Sequence, residues 1–127
     1  MEADPNEPNV MKLTHRTVEN VQILAFSGSL VRHDVAQVSQ QLHQIITPKT
    51  TQLLIDLTEL QYIDIQGLSV LLIAAELTQS VDGTVVLLNP NETVHKLLIL
   101  TNLHRLFAIY ADQAAALASL TRHSPPV

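Results

Sequence analysis

Leu53-Leu54-Ile55 is an uninterrupted apolar run that stops at Asp56. A strand with one face in water alternates apolar and polar side chains, so a run without alternation predicts a strand covered on both faces. A second run of this kind spans Thr84 to Leu88. Between them, Asp64 is suited to capping a helix that runs to about Ser80 and closes at Asp82-Gly83. Two covered strands joined through a helix require a parallel sheet with helices packed on it.

The rest of the chain fits that layer. Met11 to Thr17 and Val21 to Ser27 read as two strands, with the turn pair Glu19-Asn20 between them and Gly28 ending the second. Val35, Val38, Leu42, Ile45 and Ile46 recur at helical spacing until Pro48 forbids continuation. Asn89-Pro90-Asn91-Glu92 supplies a capping residue, a proline at the first helical position and a glutamate at the third. The helix that follows has Val94, Leu97, Leu98 and Thr101 as its buried stripe, and Asn102 suits the left-handed residue that often ends a helix. Leu106 to Tyr110 reads as a last strand, and Asp112 caps an alanine-rich helix ending near Arg122. The expected fold is α/β: one mostly parallel mixed sheet of about five strands, packed with about four helices and joined by right-handed crossovers.

At 127 residues the chain forms one domain, expected over residues 11–122, with a disordered lead-in at 1–10 and a frayed tail at 123–127. The lead-in holds acids, two prolines and no apolar run, unlike a signal peptide. The longest apolar stretch, Leu68 to Ala75, falls far short of the roughly 20 residues needed to span a bilayer. A net charge of -5 without a Lys/Arg cluster argues against nucleic acid as a partner. The absence of cysteine removes disulfides, thiolate metal sites and a cysteine nucleophile, and fits a cytoplasmic protein. The six histidines form no HxxxH or HExxH pair, so no metal is expected. Asp56 and Asp64 flank the Thr58 to Ile63 connection, but no nucleophile, phosphate loop or Ser-His-Asp order accompanies them. Capping and loop hydrogen bonds account for them better than acid/base catalysis, and the chain is read as no enzyme.

Leu53-Leu54-Ile55-Asp56-Leu57-Thr58, followed by Tyr62-Ile63-Asp64-Ile65-Gln66-Gly67-Leu68-Ser69-Val70-Leu71-Leu72, resembles the signature of the STAS domain family. There a strand ending in Asp-Leu-Ser leads to Ile-Asp-Ser-Ser-Gly-Leu at a helix start. The resemblance covers about Met11 to Leu120. It implies a small bacterial regulatory protein of the anti-sigma factor antagonist kind, whose partner is an anti-sigma factor or switch kinase. In such proteins phosphorylation of a hydroxyl residue in the signature breaks the complex. Here Ile65 and Gln66 stand where the family has two small hydroxyl residues, and Gln66 takes the phosphorylated position. Glutamine accepts no phosphoryl group, and its neutral amide does not imitate one. Val31, in Gly28-Ser29-Leu30-Val31, stands where related domains commonly carry an acid.

The expected partner-binding residues are therefore Asp64, Ile65, Gln66, Gly67, Ser69 and Ile73, together with Ser29 and Val31 of the Gly28 to Asp34 loop. A helix start gathers oriented N–H groups that attract an acidic partner group. The alternative for Asp64 and Gln66 is a self-capping residue beside an exposed one. For Gly67, close approach of a neighbouring backbone competes with loop-to-helix packing alone. Ile73, with Ile65 and Ser69, is placed away from the inward stripe of Leu68, Leu72 and Ala75. Ser69, one turn from Gln66, is a weak candidate for a displaced phosphosite. No cofactor is expected, and homodimerisation through the apolar helix face stays open. Two other roles compete: a sensor of a nucleotide or anion, and an accessory subunit of a lipid or anion transport system.

Overall fold

The computed structural model describes residues 10–122, so positions 1–9 of the expected lead-in and the expected tail at 123–127 lie outside the described residues. Strand β1 (Lys12–Val18) pairs antiparallel with β2 (Val21–Leu30). Glu19 and Asn20 between them have φ of 52° and 67°. A two-residue connection with both φ positive matches the twist of the strands it joins. A short 3-10 turn (Arg32–Asp34) leads into α1 (Val35–Ile45), which is followed by β3 (Gln52–Ile63) and α2 (Ile65–Ser80). Next come β4 (Thr84–Leu88), α3 (Glu92–Leu100), a 3-10 turn at Leu103–Leu106, β5 (Ala108–Tyr110) and α4 (Gln113–Arg122).

The sheet order is β1-β2-β3-β4-β5, and every pair after the first is parallel. Alternation along the strands divides the core in two. Leu24, Phe26, Leu53, Ile55, Val85 and Leu87 point to the face covered by α1, α2 and α3. Val21, Ile23, Leu54, Val86 and Leu88 point to the other face, where α4 packs through Ala116 and Leu120. The two apolar runs of the sequence are thus strands buried on both sides, as expected from their lack of alternation.

Several boundaries differ from the sequence expectation. β2 does not end at Ser27 but continues through Gly28, at φ 80°, to Leu30. Thr58 to Ile63 is not a connection; it is the second half of β3, paired with the extended end of β2. Ala25 faces Asp56 and Ser27 faces Glu59, then Gly28 faces Leu60 and Ser29 faces Tyr62, so β3 gains one residue on β2 at each step. These are β-bulges. They place Leu57, Leu60 and Ile63 in the core at a spacing of three, a rhythm that does not read as a strand.

The cap of α3 is Asn91 and not Asn89, so Pro90 precedes the helix instead of opening it. Asn91 Oδ1 accepts from the Val94 N–H at 2.8 Å. Its Nδ2 donates to the carbonyls of Leu60 and Gln61, which ties α3 to the end of β3. Asn89 is left-handed, at φ 54°, and its N–H donates to the Tyr110 carbonyl at 2.7 Å. The last strand is shorter than expected, because Leu103 to Leu106 winds into the 3-10 turn after left-handed Asn102.

Candidate functional site

The extended ends of β2 and β3 deliver two segments to one end of the sheet: the loop after Leu30 and the start of α2. Asp64 joins them. Its Oδ1 accepts from the Gly67 N–H at 2.6 Å, the capping bond of α2. Its Oδ2 accepts from the Arg32 N–H at 3.2 Å, and its own N–H donates to the Leu30 carbonyl at 3.3 Å. One carboxylate therefore caps a helix and holds the neighbouring loop. Asp34 closes that loop from within, accepting from the Val31 N–H at 3.1 Å.

Gly67 makes the approach possible. A Cβ at this position would lie 2.1 Å from the Leu30 carbonyl oxygen and 2.9 Å from the Leu30 carbonyl carbon. Both are far inside van der Waals contact, and the obstacle is backbone, which cannot swing aside as a side chain can. Of the two readings of Gly67 offered by the sequence, the close approach of a neighbouring backbone is the one the geometry shows.

Ile65 and Gln66 occupy the first turn of α2 and are exposed, Ile65 to 61%. That turn contains no acid, so the positive end of the helix is offset only by the Asp64 carboxylate. Ser29 and Val31 are half-buried beside this turn. Ser69 is half-buried as well, and its hydroxyl donates to the Gln66 carbonyl at 2.5 Å. The site thus brings together Ser29, Val31, Asp64, Ile65, Gln66, Gly67 and Ser69.

Ile73 does not belong with them. It is half-buried and packs against the main core, whereas Leu72, expected on the inward stripe, is the exposed residue. The buried face of α2 is Gly67, Leu68, Val70, Leu71, Ala74 and Thr78. This helix is apolar almost all round, so hydrophobic periodicity carries little information about its rotation. Packing against α1 and the sheet decides which side turns outward.

Asp56 plays no part at this end. Its Oδ1 accepts from the N–H of Thr58 at 3.0 Å and from the Thr58 hydroxyl at 2.6 Å, bracing the first bulge of β3. Among the described residues no group of three or more histidine and carboxylate side chains could hold a metal ion. None of the described helices is long and apolar enough to cross a membrane.

Sequence reasoning missed the opposite flank of the α2 start. Tyr62, Ile63, Asp64 and Ile65 line one side of an open groove of about 430 Å³, and Thr93, Lys96, Leu97 and Leu100 of α3 line the other. A signal was available in α3: the stripe of Val94, Leu97, Leu98 and Thr101 leaves Ile99 and Leu100 outside it, an apolar pair with no core to enter. The role of Arg32 could not have been found this way, because only its backbone N–H is used.

Comparison with known proteins places this architecture. The family model described as "STAS domain" matches residues 12–116. An anti-sigma F factor antagonist from Paenibacillus polymyxa is 30% identical over 101 residues, covering 79% of this chain and 86% of the relative. Among solved structures, an anti-sigma factor antagonist from Mycobacterium paratuberculosis superposes with a TM-score of 0.80 at 18% identity, covering 91% of this chain and 97% of that one. The anti-sigma factor antagonist SpoIIAA in its unphosphorylated form superposes with a TM-score of 0.76 at 20% identity, over 91% of this chain and all of the other. At these identities the two structures speak for the fold, and the Paenibacillus relative and the family model for the kinship.

Proposed function

This chain belongs to the STAS domain family, and from that premise we propose that it is a non-catalytic docking module that binds a protein partner through the start of α2 and the Val31 to Asp34 loop. The observation that carries the reading is the Asp64 clamp. One buried-edge carboxylate and one glycine lock two segments into a single rim, and Ile65 and Gln66 are left uncovered on it. A rim held rigid before the partner arrives loses little conformational entropy on binding, which favours affinity without new contacts. The partner is of the anti-sigma factor kind that the names of the relatives suggest, and the encounter takes place in the cytoplasm.

Gln66 sets the regulation. SpoIIAA has been solved in both unphosphorylated and phosphorylated forms. In this chain the amide of Gln66 stands at the position where the family signature carries its phosphorylated hydroxyl, so the complex is not released by phosphate there. The amide contributes contact and hydrogen bonds, whereas a carboxylate would bring charge into a surface being stripped of water.

Calorimetry against a cognate anti-sigma factor, with thermal melts alongside, tests this. Gln66→Glu is expected to weaken binding by about tenfold, roughly 1.4 kcal/mol, with an unchanged melt. Gln66→Ser is expected to keep most of the affinity and to become a substrate for a family kinase. Equal affinity of Gln66→Glu and the parent, with both folded, would move the docking surface away from this turn.

A further inference from the structure

The groove between the α2 start and α3 is apolar, open and continuous with the docking rim, since Asp64 and Ile65 belong to both. Leu100 at its edge is 81% exposed and Tyr62 is 50% exposed. Contiguous apolar side chains left in water at this level mark an interaction surface. A ligand pocket buries most of its occupant, and exposed Leu100 and Tyr62 at the edge of this open groove favour a larger partner surface over a small enclosed ligand.

The shape of the groove selects the kind of occupant. α1 packs along α2, and the groove opens between the start of α2 and α3. Thr93, Leu97 and Leu100 fall at positions i, i+4 and i+7 of α3, a ridge about 10 Å long. A ridge of this kind accepts the facing ridge of another helix. The outermost strands, β1 and β5, do not line the groove, and where the second half of β3 borders it without a β4 partner, the Leu60 and Gln61 carbonyls are already taken by the Asn91 amide, which disfavours an added strand.

Charge decides the rest. Asp64 lines the groove, but both its carboxylate oxygens already accept backbone N–H groups. The remaining ionic group of the lining is the ammonium of Lys96, held 3.4 Å from Glu92 in an exposed pair one turn apart on α3. Such exposed pairs contribute little and exchange readily.

We infer that the groove seats an amphipathic helix of a partner protein, whose apolar stripe covers Tyr62, Ile65 and Leu100 and whose carboxylate replaces Glu92 as the counter-ion of Lys96. This rests on the reading of the neighbouring rim as a protein-docking surface and names the chemistry of what docks. The segment would be recognised as a helix-in-groove ligand carrying an acid on the border of its apolar face.

The test is selection of a helix-biased peptide library displayed on phage against the intact protein, followed by affinity measurement of the enriched peptides on three variants. The expected peptides carry apolar residues at helical spacing and an Asp or Glu beside them. Leu100→Asp and Lys96→Glu should each weaken them by roughly tenfold or more, and Lys49→Ala, exposed just before the opposite end of β3, should leave them nearly unchanged. Both groove positions are exposed, so the variants should melt with the parent. Failure to enrich helical peptides would overturn the inference, as would enrichment of basic ones or indifference to Leu100→Asp and Lys96→Glu. Sedimentation of the parent and Leu100→Asp covers the other occupant: a dimer dissociated by Leu100→Asp would show that a second copy fills the groove. If peptides bind as expected while Gln66→Glu leaves the anti-sigma factor affinity intact, the rim reading falls alone.

Discussion

The two halves of β3 differ in almost every respect. Gln52 to Asp56 pairs in unbroken register with β2 on one side and β4 on the other, and Leu53, Leu54 and Ile55 are fully buried. Leu57 to Ile63 pairs with β2 alone, gains a residue at each of two bulges, and exposes Thr58, Glu59, Gln61 and Tyr62. The first half carries the core of the domain. The second half lifts the α2 start and the Val31 loop clear of the sheet and presents them. A regular ladder resists change everywhere along its length, whereas bulges re-aim side chains locally. On the proposed docking role, stability and recognition are separated along a single strand.

The sharpest way to test the separation is to damage each half in turn. Ile55→Ala removes a fully buried side chain from the regular half, and a loss of about 4 kcal/mol is expected from the lost transfer energy and the cavity left behind. Urea unfolding should show the whole transition moving, with no separate phase for the α2 start. A partial transition confined to one segment would mean that the regular half does not hold the domain together.

Gly67→Ala addresses the junction of the halves. Alanine is better than glycine within a helix by roughly 1 kcal/mol, so an unobstructed site would be stabilised. Here the new Cβ meets the Leu30 carbonyl at 2.1 Å. A net loss of about 2 kcal/mol is expected from overpacking, read as a lower melting temperature together with weaker partner binding. A stabilised variant that still binds would show that the two backbones separate at little cost.

Asp64→Ala is expected to have the smallest effect on stability, about 1 kcal/mol, the usual worth of a helix cap. Its informative readout is local. Amide exchange should accelerate at Arg32 and Gly67, whose N–H groups lose their acceptor, while Leu54 and Val86 in the regular ladder exchange at a rate set only by the drop in global stability. Asp64→Asn retains one carbonyl acceptor and should restore protection at one of the two amides. Uniform acceleration in both halves would erase the distinction between them.

Much of the architecture is legible in local chemistry. The apolar runs at Leu53 and Val85 mark covered strands, Glu19-Asn20 marks a hairpin turn, Asp64 and Asp112 mark helix starts, and Asn102 marks a left-handed stop. Each of these is a preference of a few neighbouring residues, and the structure keeps it. The resemblance to STAS domains was legible for the same reason: its signature is a local strand-to-helix sequence.

What tertiary structure alone decided is whatever depends on residues far apart in the chain. The bulges of β3 follow from its fit to β2, so the Thr58 to Ile63 segment reads locally as a connection. Asn91 prevails over Asn89 as the cap of α3 because its amide also reaches the carbonyls of Leu60 and Gln61. The outward turn of Leu72 in place of Ile73 is settled by packing around a helix that is apolar on nearly every side. The need for glycine at position 67 is set by the Leu30 carbonyl, and the groove beside Lys96 by the meeting of the β3 end and the α2 start with α3. Local sequence sets the preferences of a segment, but clashes, bulges and gaps arise only where two segments meet, and those meetings made the candidate site.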